Sequence, residues 1–185
     1  IVDTSNMPVD ELEIYVKNTI ALRGKLDFIV VDYLQLLEGK GANETERITY
    51  ISKKLKQIAK NNGIVVIAVA QMSTEAKKEV QNANRNQKSY KLYGTSLKGS
   101  SQLDQDPGAI LFLTKKADDP SMFRLINLQI AKQRDHQTYE DLEVEFYLPT
   151  QSFLYRRMVE RFNYVKPKKE AVKEVKKDEA KVIVE

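Results

Sequence analysis

The chain has 185 residues, of which 42% are hydrophobic and 30% are charged, and this composition predicts one soluble globular domain rather than a disordered chain. Cysteine is absent and His136 is the single histidine, which excludes disulfide frameworks, thiol-bound zinc, catalytic triads and multi-histidine metal sites. The net charge of +4 is too small to indicate a nucleic-acid partner by itself. We expect neither a secretory leader nor a membrane span, because no apolar run approaches the roughly 18–20 residues that a span needs.

Apolar periodicity predicts two amphipathic helices, over residues 8–23 and 45–62, each followed by a glycine that can end it. Continuous apolar runs over residues 28–31 and 64–70 predict strands that are buried on both faces. Residues 1–3 begin with the apolar pair Ile1 and Val2 and predict a further strand at the start of the chain. These strands are separated by helices, which is typical of a parallel sheet.

The later part of the chain has a different pattern. Residues 73–101 are polar and offer few core candidates, and four clustered strands are predicted beyond them, over 110–113, 125–131, 142–147 and 153–155. Together with the early elements they predict an α/β fold in which a parallel sheet is continued by antiparallel hairpins. Residues 166–185 carry seven lysines, five acids and no aromatic residue, so we predict a domain over 1–165 and a charged, disordered tail over 166–185.

Polar residues follow both of the predicted parallel strands, at the edge where such sheets bind their ligands. Asp32 follows the first strand, and a carboxylate there can hold the Mg²⁺ of a bound nucleotide phosphate. Many buried strands also end in Asp because a turn begins there, so this pattern alone is weak. Gln71 follows the second strand, and its amide can position a water beside a terminal phosphate.

Lys132 and Arg134 flank Gln133 near the end of a late strand, so both cations lie on one face of that strand. Two cations on one face suit the dispersed charge of a phosphate. A solvated edge strand that uses charge to prevent aggregation would show the same pattern.

A second basic stretch lies between residues 74 and 93, where cationic residues interleave with Tyr90 and Tyr93. The cationic residues are Lys77, Lys78, Arg85, Lys88 and Lys91. Charge and aromatic stacking together could bind single-stranded DNA. An ordinary polar insertion that is disordered without a ligand explains the composition equally well.

In order and spacing, four segments resemble the C-terminal ATPase domain of the DnaB-type replicative helicases. They are VVDYLQLL (30–37), ISKKLKQIAKNNGIVVIAVAQMS (51–73), SSQLDQDPGAILFL (100–113) and LQIAKQRD (128–135). The resemblance covers residues 1 to about 156 and implies a RecA-like P-loop NTPase core, with a parallel sheet flanked by helices and C-terminal antiparallel hairpins. It also implies a homo-hexamer that uses ATP and Mg²⁺, moves on single-stranded DNA and meets a primase and a helicase loader. The implied location is the bacterial cytoplasm, for a bacterial or phage-encoded protein, with no membrane contact.

The resemblance implies a role for each candidate residue at the nucleotide. Asp32 corresponds to the Walker B acid that holds Mg²⁺ and its water shell. Gln71 corresponds to a sensor that couples the γ-phosphate to the DNA-binding loops. Lys132 and Arg134 correspond to a cationic pair that enters the ATP site of the neighbouring subunit, as an arginine finger supplied in trans.

The resemblance also implies two loops that face a central DNA channel, over residues 95–105 and 38–46. The DNA contacts carried over to the first loop are Lys98, Gly99, Ser100 and Ser101. The family usually has Arg-Glu and a Gly in this loop, so a guanidinium contact is reduced here to the point charge of Lys98, whereas backbone contacts to phosphate are retained. After KQR the family usually has Asn-Gly and this chain has Asp135-His136, so we expect a differently shaped hairpin with His136 as a surface turn residue.

A motor also needs the phosphate cradle G-x-x-x-x-G-K-[ST], and this sequence has no such motif. The nearest match, GTSLKGSS over 94–101, has Ser100 where the lysine must be. In the family the catalytic glutamate also precedes the point where this sequence begins. We therefore expect the later part of a longer polypeptide, with the P-loop strand missing from its sheet and no ATP hydrolysis by this chain alone.

Two hypotheses from different classes follow. In the first, the chain is part of an ATP-driven DNA helicase that hydrolyses ATP at subunit interfaces. In the second, it is a non-catalytic RecA-like DNA-binding or scaffold module that has lost the motor. The joint presence of the metal acid, the sensor and the cationic pair favours the helicase, because an inactive module has no physical need for them. DYLQL and KQR disfavour a third hypothesis, a recombinase or a circadian-clock type ATPase.

Overall fold

The computed structural model describes residues 1–155 except for residues 3, 5, 87, 89, 100, 116–121 and 135–140. Its helices are α1 (Val9–Arg23), α2 (Glu44–Asn62), α3 (Thr74–Arg85) and α4 (Gln102–Gln105). Its strands are β1 (Phe28–Val31), β2 (Val65–Ala68), β3 (Ala109–Lys115), β4 (Phe123–Gln133), β5 (Leu142–Tyr147) and β6 (Ser152–Tyr155). Short 3-10 turns cover Leu34–Leu36 and Gly94–Ser96. Ser100, His136 and the tail over 166–185 lie outside the described residues.

Both predicted amphipathic helices are confirmed to within one residue at each end. α1 begins directly after Pro8 and ends at Gly24, which has the left-handed φ of 74° that favours glycine. α2 begins directly after Asn43, whose side chain accepts a hydrogen bond from the Glu46 N–H at 2.9 Å, and it ends directly before Gly63, which has a φ of 61°. Each end is therefore fixed by a local residue, which explains why the sequence alone located it.

The strands form two sheets in the described part of the chain. β1 and β2 pair in parallel, with Phe28 opposite Val65 and Val31 opposite Ala68. The other four strands form an antiparallel meander in the order β3-β4-β5-β6, which confirms the predicted hairpins. No described strand hydrogen-bonds the two sheets to each other, so the predicted single continued sheet is not formed within these residues. Ile1 and Val2 lie in no strand, contrary to the prediction for the start of the chain.

The main core lies between α1, α2 and one face of β1 and β2. Its centre is formed by apolar α2 side chains, and Ile48, Ile51 and Ile58 are completely buried there. Each such side chain contributes about 1.5–3 kcal/mol when fully buried. This core fixes the position of the carboxyl ends of β1 and β2.

A second core lies between α3 and β3 and corrects the prediction for residues 73–101. That segment contributes a helix, α3, whose buried face consists of Ala76, Val80 and Ala83. Leu92, farther along the same segment, is completely buried in a cluster with Ala76, Val80 and Phe112. The segment was predicted as polar because its apolar residues are small or isolated between charges.

The outer face of β1 and β2 is exposed, which corrects the prediction of strands buried on both faces. Five large apolar side chains on this face are 45–60% exposed: Phe28, Val30, Val65, Ile67 and Val69. α2 packs on these strands from the opposite side, where Ile29 and Val66 contact the core. A strand needs cover on both faces to be fully buried, and the described residues supply a helical layer on one.

Candidate functional site

Asp32 lies at the carboxyl end of β1, where the chain turns into the 3-10 turn Leu34–Leu36. Its side chain is exposed, and no described residue forms a hydrogen bond or ion pair with its carboxylate. A free, hydrated carboxylate fits Mg²⁺, which keeps most of its waters and takes one or two carboxylates together with phosphate oxygens. The described residues contain no group of three or more His, Asp or Glu that could hold a metal ion by itself. A Mg²⁺ at Asp32 would therefore need other ligands, such as the phosphate oxygens of a nucleotide, to complete its coordination.

Gln71 follows β2 and is half-buried at the same edge of the sheet as Asp32. The β1–β2 pairing continues to this point, because the Val69 N–H donates to the Val31 carbonyl at 2.9 Å and the Leu34 N–H donates to the Val69 carbonyl at 2.8 Å. The structure therefore brings together the carboxyl ends of the two strands that carry Asp32 and Gln71. This juxtaposition follows from parallel pairing and was expected from the sequence.

The predicted DNA loop packs directly on the chain at Gln71. The Lys98 N–H donates to the Gln71 carbonyl at 2.8 Å, and the Ser73 N–H donates to the Ser96 carbonyl at 2.8 Å. An antiparallel bridge between Met72 and Leu97 lies between these two bonds. The residues that follow β2 and the residues of the loop therefore form one short hydrogen-bonded ladder.

Lys98 also contacts the second predicted channel loop. Its Nζ lies 3.3 Å from Glu44 Oε1 in the first turn of α2, and both side chains are about half exposed, at 48% and 51%. Gly99 follows with φ of 125°, and a Cβ at this position would lie 3.0 Å from Ile48 Cγ1. The loop thus lies close against α2, and Ser101 precedes α4 with an exposed side chain. Ser100 lies outside the described residues.

The second loop is held by reciprocal capping bonds at the start of α2. The Ala42 N–H donates to Glu46 Oε2 at 2.8 Å, while the Glu46 N–H donates to Asn43 Oδ1 at 2.9 Å. These bonds fix the first turn of α2 and with it the position of Glu44. Gly41, which precedes these capping residues, has no room for a side chain, because a Cβ there would clash with the backbone nitrogen of Arg47.

Lys132 and Arg134 lie close together, as their spacing predicted. Their side chains, however, donate hydrogen bonds to backbone carbonyls of the same chain. Lys132 Nζ donates to the carbonyls of Asp104 and Gln105, the second at 3.2 Å, and Arg134 Nη2 donates to the same Gln105 carbonyl. These carbonyls end α4, where the partial negative charge of a helix attracts cations. No hydrogen bond or ion pair among the described residues joins either cation to Asp32 or Gln71. The role of the pair in a neighbouring subunit stays a prediction.

Three polar residues that hold this region together were not predicted as site residues. Gln35 accepts from the Gln71 N–H and donates to the Lys98 carbonyl. Arg47 on α2 donates to the carbonyls of Gln35 and Leu37. Asp106 accepts from Ser52 Oγ at 2.7 Å and from Gln102 Nε2 at 2.9 Å, which ties the end of α4 to α2. Gln35 lies within the DYLQL segment, but no spacing pattern marks its partners, which are 36 and 63 residues away.

Tyr90 does not have the free ring that stacking on DNA bases would need. Its hydroxyl lies 2.6 Å from Thr114 Oγ1, and its ring packs against the second core. Tyr93 is 57% exposed. The basic stretch over 74–93 is therefore largely the amphipathic helix α3 and its connection, with its cations on the solvent side.

Comparison with known proteins identifies relatives over most of the chain. The family model described as DnaB-like helicase C terminal domain matches residues 1–155. The replicative DNA helicase DnaB of Geobacillus stearothermophilus is 31% identical over 60% of this chain and 24% of its own length. That of Pasteurella multocida is 29% identical over 72% of this chain and 28% of its own.

A solved structure described as a DnaB-like replicative helicase and its interactions with primase matches with a TM-score of 0.68 and 28% identity. The match covers 83% of this chain and 36% of that chain. The chain therefore spans 24–36% of the length of these relatives. No helix in the described part of the chain is long and apolar enough to cross a membrane. From the family match over residues 1–155, the chain belongs to the DnaB-like helicase C-terminal domain family.

Proposed function

We propose that this chain is part of the motor of a ring-shaped replicative DNA helicase, in which ATP hydrolysis at subunit interfaces drives movement on single-stranded DNA and unwinding of the duplex. The proposed assembly is a homo-hexamer that uses ATP with Mg²⁺ in the bacterial cytoplasm, whether its gene is bacterial or phage-borne. A primase and a helicase loader are its proposed partners. Family membership and the relatives' names support this proposal.

One observation in the structure carries the proposal. The chain at Gln71, the proposed phosphate sensor, is hydrogen-bonded at 2.8 Å to Lys98 in the proposed DNA loop. A motor requires that a change at the nucleotide moves the segment that contacts DNA. The backbone hydrogen bond between Gln71 and Lys98 would transmit such a movement from the nucleotide side to the DNA loop. A scaffold module would have no need to join these segments.

The exposed apolar face of β1 and β2 supports the proposal that another polypeptide segment completes the domain. Val65 and Ile67 are about half exposed on strands whose other face is packed on α2. We assign the segment that covers this apolar face to the part of the polypeptide with the P-loop. The strand of that part would also extend the two-stranded sheet. The phosphate cradle would then lie beside Asp32, and we expect the present chain to have no ATPase activity without it.

In this proposal Asp32 holds the hydrated metal, Gln71 contacts the γ-phosphate side, and Lys132 and Arg134 leave the carbonyls of α4 to contact the nucleotide of the adjacent subunit. Bound Mg²⁺ would neutralise charge on the phosphates. The guanidinium of Arg134 would stabilise charge that develops on the transferred phosphoryl group, and such a finger contributes about 10³–10⁵-fold to kcat.

The experiment is a subunit-mixing ATPase assay on the polypeptide extended upstream of Ile1. Arg134→Ala and Asp32→Asn subunits are each expected to be inactive alone, because each lacks one part of every interface. When the two are mixed and reassembled, an interface between an Arg134→Ala subunit that supplies Asp32 and an Asp32→Asn subunit that supplies Arg134 is complete. We therefore expect activity to return in the mixture, in the presence of single-stranded DNA.

Arg23→Ala is the matched control, because Arg23 is exposed at the end of α1 and belongs to neither proposed loop. If the wild type is active but the mixture is as inactive as each variant alone, the result would contradict the trans role of Arg134. An extended wild type that binds DNA and forms rings but never hydrolyses ATP would support the non-catalytic module instead.

A further inference from the structure

We propose that Gln35 is a positioning residue that transmits movement of the chain at Gln71 to the Lys98 loop; this rests on the proposed helicase function. Gln35 Oε1 accepts a hydrogen bond from the Gln71 N–H at 3.3 Å, and Gln35 Nε2 donates to the Lys98 carbonyl at 3.1 Å. One planar amide therefore joins the proposed nucleotide sensor to the proposed DNA loop.

The backbone of Gln35 is itself fixed, so its amide acts as a spacer of constant length. Leu34 is buried, and its N–H donates to the Val69 carbonyl at 2.8 Å. On the other side Arg47 Nη1 donates to the Gln35 carbonyl at 3.2 Å. Because the main chain is held from both β2 and α2, a change at Gln71 reaches Gln35 as a change in side-chain hydrogen bonding.

Both backbone groups of Lys98, its N–H and its carbonyl, are hydrogen-bonded to residues at this edge of the sheet. Its N–H donates to the Gln71 carbonyl at 2.8 Å, and its carbonyl accepts from Gln35. A shift of Gln71 thus acts on Lys98 directly through one bond and through the Gln35 amide by a second. Because both the N–H and the carbonyl of Lys98 are hydrogen-bonded, the orientation of this residue is fixed as well as its distance from Gln71. That orientation decides where the Lys98 ammonium and the following loop amides point.

Two substitutions separate the functions of this amide. Gln35→Glu keeps an oxygen that can accept from the Gln71 N–H but loses the donor and sets a carboxylate against the Lys98 carbonyl. Gln35→Met keeps the length of the side chain and removes both hydrogen bonds. Gln57→Glu on the exposed side of α2 is the matched control for the change of charge.

The test uses the full ring-forming polypeptide and measures the ratio of kcat at saturating single-stranded DNA to kcat without DNA. Loss of folded protein lowers both rates equally and leaves the ratio unchanged, so the ratio reports coupling rather than stability. We expect Gln35→Glu to lower the ratio by about fivefold, the equilibrium factor of one neutral hydrogen bond. Gln35→Met removes two such bonds and is expected to lower the ratio at least as far. Gln57→Glu is expected to leave the ratio at the wild-type value.

A wild-type ratio in both Gln35 variants would overturn the inference while leaving the helicase proposal intact. A reduced ratio in Gln57→Glu together with a wild-type ratio in Gln35→Met would also overturn it, because a general effect of charge would then explain the Gln35→Glu result. A wild-type protein with a phosphate cradle but no DNA-stimulated hydrolysis would overturn the proposed function together with this inference. If Gln35→Met does not assemble, Gln35→Glu alone decides between these outcomes.

Discussion

Lys98 is the residue at which the two proposed DNA loops meet. Its ammonium is paired with Glu44 at 3.3 Å, and both side chains are about half exposed. An exposed ion pair of this kind contributes about 0–1 kcal/mol, so a DNA phosphate can displace the carboxylate at little cost. If this loop contacts DNA as proposed, Glu44 would hold Lys98 in place before DNA binds and would compete with phosphate for it afterwards.

We expect Glu44→Gln to tighten binding of single-stranded DNA by about two- to fivefold, because Lys98 is released and a repelling charge is removed. Lys98→Ala should weaken binding and lower the slope of log K against log salt by about one. Fluorescence anisotropy with a labelled oligonucleotide at two salt concentrations measures both effects on the ring-forming polypeptide.

Glu11→Gln, on the exposed side of α1, is the control for a change in net charge. Equal tightening by Glu11→Gln and Glu44→Gln would show that only net charge matters. Lys98→Ala with an unchanged salt slope would remove Lys98 from the DNA contacts.

At the scale of elements, α1 and α2 are joined by a polar cluster around Lys54. Its Nζ lies 2.9 Å from Asp10 Oδ1 and 3.3 Å from Glu13 Oε2, both on α1. Hydrogen bonds from Lys54 and Tyr50 lower the pKa of Asp10, and those from Lys17 and Lys54 lower the pKa of Glu13. The bond to Asp10 is the largest cause that raises the pKa of Lys54.

The pKa directions set the pH dependence of this cluster. Lowered carboxyl pKa values stabilise the fold above the unfolded values near 4 and lose that effect as pH falls through the folded values. The raised Lys54 pKa stabilises the fold below about 10.4 and is lost only at higher pH. The cluster is therefore fully effective from weakly acidic pH up to the range where lysine titrates.

We expect Lys54→Met to lower the free energy of unfolding at pH 7 by about 1 kcal/mol or less, the range for solvent-screened ion pairs. The difference from wild type should shrink towards zero as pH falls below the carboxyl pKa values. Urea denaturation at pH 7 and at acid pH measures it, with exposed Lys53→Met as the control. A difference that is the same at both pH values would assign the effect to packing rather than charge.

The second core depends on Leu92, which joins the segment after α3 to β3. Leu92 is completely buried, and its N–H donates to Gln129 Oε1 at 2.9 Å. We expect Leu92→Ala to cost about 2–5 kcal/mol, because it removes a buried side chain and leaves a cavity. Tyr93→Ala next to it should cost much less, since that ring is mostly exposed. Chemical denaturation measures both, and similar costs for the two variants would contradict this packing.

At the scale of the whole molecule, β1 and β2 have one packed face and one uncovered apolar face. Val65 is 60% exposed, whereas its neighbour Val66 packs against the main core. Successive side chains of a strand point to opposite faces, so these two valines probe the two faces separately. If the proposed P-loop segment covers the outer face, Val65 should become as buried as Val66 in the longer polypeptide.

We therefore expect Val66→Thr to destabilise both polypeptides by about 1–3 kcal/mol, the cost of a poorly bonded buried hydroxyl. Val65→Thr should change the stability of the 185-residue chain by less than about 0.5 kcal/mol, typical of surface substitutions, but destabilise the extended one. Denaturant titrations of the two variants and the wild type in both polypeptides measure this. A Val65→Thr effect near zero in both polypeptides would leave the outer face uncovered and contradict the proposed cover.

The sequence by itself determined the elements whose signals are local. Helix α2 has clear apolar periodicity, and both α1 and α2 end at glycines with left-handed φ. The segments that resemble the DnaB family also lie within continuous stretches of chain, so the family was identifiable without coordinates. Asp32 and Gln71 were predicted together because parallel strands end at the same edge.

Only the tertiary structure decided which distant groups meet. The amide of Gln35 joins residues 36 and 63 positions away, and Lys98 pairs with Glu44, so no local spacing could reveal either contact. The burial of Leu92 also depends on β3, since a single leucine between Lys91 and Tyr93 has no periodicity. Strand composition likewise predicted two buried faces, whereas burial depends on which layers pack against the strand, and the described residues supply one.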